Sequence, residues 1–328
     1  MKNNTDGRLK ISRRGFIKSA LGAAGSLILS GSVKGCAAES GREKRNPHRY
    51  DISEFRKVDP SLILYEEVPG INTPRLVITD LAVTSNGLLS AASGRDIYLY
   101  GTDLKPSGRF SLPEDVSAIA AAANGEIALG FSSRIDLYTA RGRMIRNLAN
   151  LQGNGKIRSI ACGDGIIAAT DALRKSLWIF RMSGGLAGLA DSGFVIPGNC
   201  FPVRAGLNGD IWAGNPGMHR LERYSPAGKK LSQWGSSSML IEGFAGCCNP
   251  EDFVIDRHGN FFTSEKGIPR IKKYGPAGEF IGVVAPPEAF AEETRGLPLA
   301  ADPGGRVYAA DNRAGLIRVF SPKDTHDG

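Results

Sequence analysis

The chain has 328 residues, 41% hydrophobic and 23% charged, a globular composition long enough for one large all-β domain or two ordinary ones. Its net charge of +8 is concentrated at one end: residues 1–38 hold seven basic residues and one acidic, and so +6 of the total. The remaining +2 leaves a near-neutral body with no electrostatic reason to seek phosphate, which excludes nucleic-acid binding on charge.

The first element in the chain is an address rather than a fold. Ser12, Arg13, Arg14, Phe16 and Lys18 precede fifteen uncharged residues, 19–33. A basic run before a short apolar run is an export signal, too short to span a membrane comfortably. The paired arginines resemble the twin-arginine export motif, with Ile17 where leucine is usual. That resemblance implies passage through the twin-arginine translocase to a periplasmic or other extracytoplasmic location. The route carries folded proteins, so it permits a cofactor loaded in the cytoplasm without requiring one. Val33, Gly35 and Cys36 match a lipoprotein box, from which Lys34 departs; simple cleavage within residues 35–39 is the alternative. Residues 1–38 are therefore assigned to the signal, and the polar, charged residues 39–60 to a tether. Any membrane contact runs through this N-terminus.

From residue 61 onward the chain repeats. A turn pair ending in glycine occurs six times: Asn86-Gly87, Asn124-Gly125, Asp164-Gly165, Asn208-Gly209, His258-Gly259 and Gly304-Gly305. Glycine tolerates the positive φ that tight hairpin turns demand. A short apolar run follows each pair. An aromatic then follows at 13 residues from the glycine in the first two copies (Tyr100, Tyr138) and at 15 in the other four (Phe180, Tyr224, Tyr274, Phe320). Successive turn glycines lie 38 to 50 residues apart, and each unit reads as four short strands. That is the period and content of a propeller blade. The expectation is an all-β, six-bladed β-propeller over residues 61–328. Only eight residues follow Phe320, which leaves the last blade without its outer strand. Residues 61–69, SLILYEEVP, are strand-like and are predicted to complete it.

The repeats resemble bacterial NHL-repeat propellers, most plainly in residues 215–235 (NPGMHRLERYSPAGKKLSQWG) and 310–322 (ADNRAGLIRVFSP). The first three blades match less well. The resemblance implies the fold and leaves the function open, because the family includes lyases, sensors and binding scaffolds.

With strands numbered outward from the axis, loops joining strands two and three open on the same face as loops joining one blade to the next. Ligand sites are expected there, around the axial mouth. Cys200, Cys247 and Cys248 fall in inter-blade loops on that face, and His219 in a loop between strands two and three. These four are candidate ligands for a soft metal such as copper or zinc. A disulfide from Cys200 to either neighbour, or a vicinal bridge, is the equal alternative. Glu265, Lys266, Arg295, Asp311 and Arg313 are candidate ligand-binding residues of the same face. Each has a structural alternative, as a solvated rim charge or a turn residue. Cys162 reads as a small buried residue near a hairpin. No Cys-x-x-Cys pair, haem-attachment sequence or Gly-rich phosphate loop is present, and no complete catalytic set is visible. The leading expectation is a noncatalytic binding scaffold for an envelope protein or small ligand. A metal-binding or redox protein is the alternative, and a propeller lyase or lactonase a weaker third.

Overall fold

Turn chemistry sets the architecture. Gly87, Gly125, Gly165, Gly209, Gly259 and Gly305 all have φ between 69° and 86°, the left-handed region closed to most side chains. Each closes the hairpin between the first two strands of a four-stranded antiparallel sheet, and there are six such sheets. The computed structural model describes residues 51–122 and 125–323. The twin-arginine and lipoprotein-box readings, and Asn124, lie outside the described residues.

The first blade runs Asp80–Val83, Leu89–Ser93, Asp96–Tyr100 and Pro106–Ser111, innermost strand first. The inner strands of the next five blades are Ala118–Ala121, Ile157–Gly163, Val203–Ala205, Asp252–Ile255 and Leu299–Ala301. Neighbouring inner strands contact one another all the way around, so the ring is closed about an axis. The core is correspondingly six interfaces rather than one. Between blades four and five, for example, Trp212 and Leu221 pack on Phe244, Phe253, Phe261 and Tyr274. No blade could bury both of its faces alone.

An N-terminal strand closes the ring as the sequence predicts, but it begins and ends a few residues later than the expected 61–69. The sixth blade takes Tyr65–Asn72 as its outer strand, antiparallel to Leu316–Pro322. Tyr65 lies opposite Pro322 and Asn72 opposite Leu316, with a bulge between Val68 and Ile71. Tyr65 and Ile71 are buried there, the first against Phe262 of blade five, so the strand seals an otherwise open edge and packs on its neighbour. Upstream, Ser53–Arg56 forms a single helical turn and Pro60–Leu62 a 3-10 turn.

Candidate functional site

A cavity of about 380 Å³ opens at the axial mouth, on the face of the inter-blade loops. Five blades line it. Blade one supplies residues 77–80, blade three Arg158 and Ser159, and blade four residues 199–202. Blade five supplies Glu251, Asp252 and Lys266, and blade six residues 295–298 and Asn312. A second cavity of about 220 Å³ lies further along the axis, walled by apolar residues that include Ala82, Ala120, Ala161 and Ala300.

A polar layer forms the boundary between the two. Asp80, Ser159 and Asp252 sit at the upper ends of inner strands one, three and five. Each accepts a backbone N–H from the next blade: Asp80 from Ile119 at 3.0 Å, Ser159 from Val203 at 3.1 Å, Asp252 from Leu299 at 2.8 Å. The three side chains thus stitch the six inner strands in pairs. Arg204 reaches in from blade four, holds both oxygens of Asp252 at 2.9 and 3.0 Å, and donates to the Ser159 hydroxyl at 3.0 Å. One guanidinium serves two buried carboxylates. Burial pushes Asp80 up to about 7, against the pull of Arg204 and with the added push of Asp252, and burial raises Asp252 as well.

Three of the predicted residues line the mouth: Cys200, Lys266 and Arg295. Arg295 is exposed and has no hydrogen-bond or ion-pair partner among the described residues. Lys266 lies 3.7 Å from Glu251 and beside the Cys248 thiol. Burial pulls its pKa down, but Glu251 and Cys248 together hold it above the usual lysine value. The Cys200 thiol donates to the Glu251 carbonyl, and burial pushes it well above the ordinary thiol range. A thiol so held is a poor nucleophile.

The other predictions need correction. Glu265 and Asp311, expected as ligand-binding residues, do not line the cavity; both are buried, each at the end of the second strand of its blade. Glu265 pairs with Arg270 at 3.1 Å and with Lys272, and accepts the Ala245 N–H of the preceding loop. Asp311 pairs with Arg318 at 2.9 Å and accepts the Ala314 N–H. Arg313 is exposed, 3.9 Å from Glu293 and outside the cavity lining.

The four proposed metal ligands do not form one set. His219, at a left-handed φ of 54°, places Nε2 2.7 Å from the Gly246 carbonyl and so holds the cysteine loop. Cys247 and Cys248 lie side by side with sulfurs 3.3 Å apart, away from the cavity wall. Cys162, Cys200, Cys247 and Cys248 are all free thiols. Among the described residues no group of three or more His, Cys, Asp or Glu is arranged to hold a metal ion. Cys162 lines the second cavity, where burial pushes its thiol to about 12.

Asp80, Arg204 and Asp252 escaped the sequence reading, although a signal existed. Asp80 and Asp252 each stand seven residues before a turn glycine, Gly87 and Gly259. A carboxylate at one register of two inner strands is a mark of the axis.

No protein-family model matches the chain, and no curated protein matches it. Solved structures do. A chain of a mitotic checkpoint complex aligns with a TM-score of 0.59 at 10% identity, over 91% of this chain and 99% of that one. The WD40 domain of Neurospora crassa Pan2 gives 0.54 at 10% identity, over 80% and 96%. A catalytically inactive virginiamycin B lyase from Staphylococcus aureus, with quinupristin, gives 0.52 at 14% identity, over 77% and 82%. Identities this low carry the fold alone, and what these proteins share with this chain is a β-propeller.

Proposed function

We propose that this protein is an exported, NHL-like propeller that acts as a noncatalytic binding scaffold, taking a small ligand or an exposed segment of an envelope protein at its axial mouth. The observation that carries the reading is the state of the groups around the cavity. Arg295 stands at the mouth with its guanidinium uncommitted, while the groups that chemistry would need are occupied. Cys200 is held protonated on a carbonyl, and Asp80 and Asp252 spend their oxygens on backbone N–H groups and Arg204. A mouth with recognition groups and, among the described residues that line it, no free nucleophile or base suits holding rather than turnover. Export by the twin-arginine route, supported by Arg13, Arg14 and the apolar run behind them, would place this mouth in the envelope.

The test is a paired capture. Wild-type protein and Arg295→Glu are immobilised and exposed to envelope extract at low and moderate salt. A partner or small molecule retained by the wild type and lost with Arg295→Glu supports the reading. Equal retention by both, or none by either, refutes it.

A further inference from the structure

The cysteine pair that stands off the cavity has a geometry of its own. Cys247 is exposed, Cys248 is nearly buried, and their sulfurs are 3.3 Å apart. The loop around them is tied by five hydrogen bonds. His219 holds the Gly246 carbonyl at 2.7 Å, and Asn249 donates to the Ala245 and Lys266 carbonyls at 2.6 and 2.9 Å. Lys266 N–H returns to Asn249 Oδ1 at 3.0 Å, and Glu265 accepts the Ala245 N–H at 3.3 Å. The dithiol is therefore presented by a fixed frame rather than by a loose loop, and little ordering remains to be done on binding. Burial and the neighbouring Cys247 thiol raise Cys248 above the ordinary thiol value, and the Lys266 ammonium beside it pulls against them.

The separation selects what can bridge the pair. An atom bonded to both sulfurs at about 2.3 Å, the usual thiolate–metal length, would subtend roughly 90° across sulfurs 3.3 Å apart. A linear two-coordinate ion would need the sulfurs ~4.6 Å apart at the same bond length. A tetrahedral ion needs further ligands, and no third His, Cys, Asp or Glu among the described residues joins the pair in a metal-holding group. A pyramidal trivalent centre makes bonds near a right angle and needs only one more substituent, which the exposed side of Cys247 leaves room for.

We propose that Cys247 and Cys248 form a chelating dithiol site for a trivalent arsenic-type metalloid carrying one organic substituent. Binding is a condensation. An oxide R–As=O meets the two thiols, two S–H bonds break, two As–S bonds form, and the oxygen leaves with both protons as water. Arsenic stays trivalent and keeps its bond to R, so no oxidant or reductant is consumed. The adduct would sit beside Lys266, outside the lining of the axial cavity.

The probe is phenylarsine oxide on the purified full chain, first reduced with a phosphine and desalted. Intact-mass spectra should show one adduct, equal to the probe less one water. It should survive a large excess of a monothiol and come off with dimercaptopropanol, because only a second chelate competes with the first. Cys247→Ser and Cys248→Ser should each lose the monothiol-resistant adduct; the exposure of Cys247 makes the first variant safe for folding. Cys36→Ser, Cys162→Ser and Cys200→Ser should keep it. A resistant adduct that persists in Cys247→Ser, or a wild-type adduct stripped by monothiol, overturns the proposal.

Discussion

Removing the Glu265 carboxylate should damage stability rather than ligand binding. The side chains of Glu265, Arg270 and Lys272 are 0–1% exposed, so the carboxylate is the counter-ion of two cations inside blade five. Lys272 also donates to the Ile241 and Gly243 carbonyls at 3.0 and 2.6 Å, which ties the long loop before blade five to this cluster. Breaking a buried pair by deleting one partner costs about 3–5 kcal/mol, because the stranded charge has no solvent. For a domain of this size that is a fall of roughly 10 °C in melting temperature. Glu265→Gln should lose a similar amount, since it keeps the shape and drops the charge. Burial already pulls Lys272 down to about 8, so it can shed its proton when stranded, whereas Arg270 cannot. The loss should therefore be larger at pH 6 than at pH 9, and Lys272→Met should recover part of it in the Glu265→Ala background. Urea unfolding across this pH range measures all of these. Glu265→Ala within ~0.5 kcal/mol of wild type, the range of ordinary surface changes, would refute the argument and return Glu265 to the rim.

The contrast between what was legible and what was not follows from the repeat. The turn glycines, aromatics and missing outer strand are read directly, because backbone geometry forces the same residue type at the same register in every blade. The same logic, applied to polar residues, would have corrected the site. Asp171, Asn215, Glu265 and Asp311 each stand six residues after a turn glycine and are all buried. In blades three, four and five this residue accepts a backbone N–H from the preceding loop: Asp171 from Lys156, Asn215 from Val195, Glu265 from Ala245. A polar residue recurring at a fixed offset belongs to the scaffold, and residues that break the pattern are the better candidates for function. Arg295 and Lys266 have no such counterparts in the role they play at the mouth. Ser159 hid for a different reason. The blade-three hairpin turns on two residues between Gly163 and Ile166, where blades one and five leave five between Val83 and Leu89 and between Ile255 and Phe261, so Ser159 lies six rather than seven positions before its glycine and does not align with Asp80 and Asp252. The spacing of sulfurs, and the spending of His219 on a carbonyl, depend on loop paths that no periodicity encodes.

Three further outcomes are expected. Deleting residues 1–70 removes most of the outer strand of blade six and should leave a poorly folded protein, whereas deleting 1–58 should be tolerated; equal melting of the two truncations would refute the closure argument. Changing Arg13 and Arg14 to lysine should strand the precursor in the cytoplasm, and undiminished export would refute the twin-arginine assignment. The last concerns the axial layer. Asp80 titrates at about 7 in the folded protein against 3.8 unexposed to such burial, so the fold keeps a proton that the unfolded chain has already released. Its folded value is raised, so its stabilising contribution is full below 3.8 and is lost as pH climbs through about 7. Asp80→Asn cannot release a proton. It should be less stable overall, because its amide can accept only one of the two N–H groups, from Leu81 and Ile119, that the carboxyl now accepts. It should nonetheless lose less stability than wild type between pH 5 and 7, where Asp80 ionises in the fold. Parallel stability curves for the two proteins across that window would mean that Arg204 keeps Asp80 ionised throughout, and that one guanidinium does balance both carboxylates.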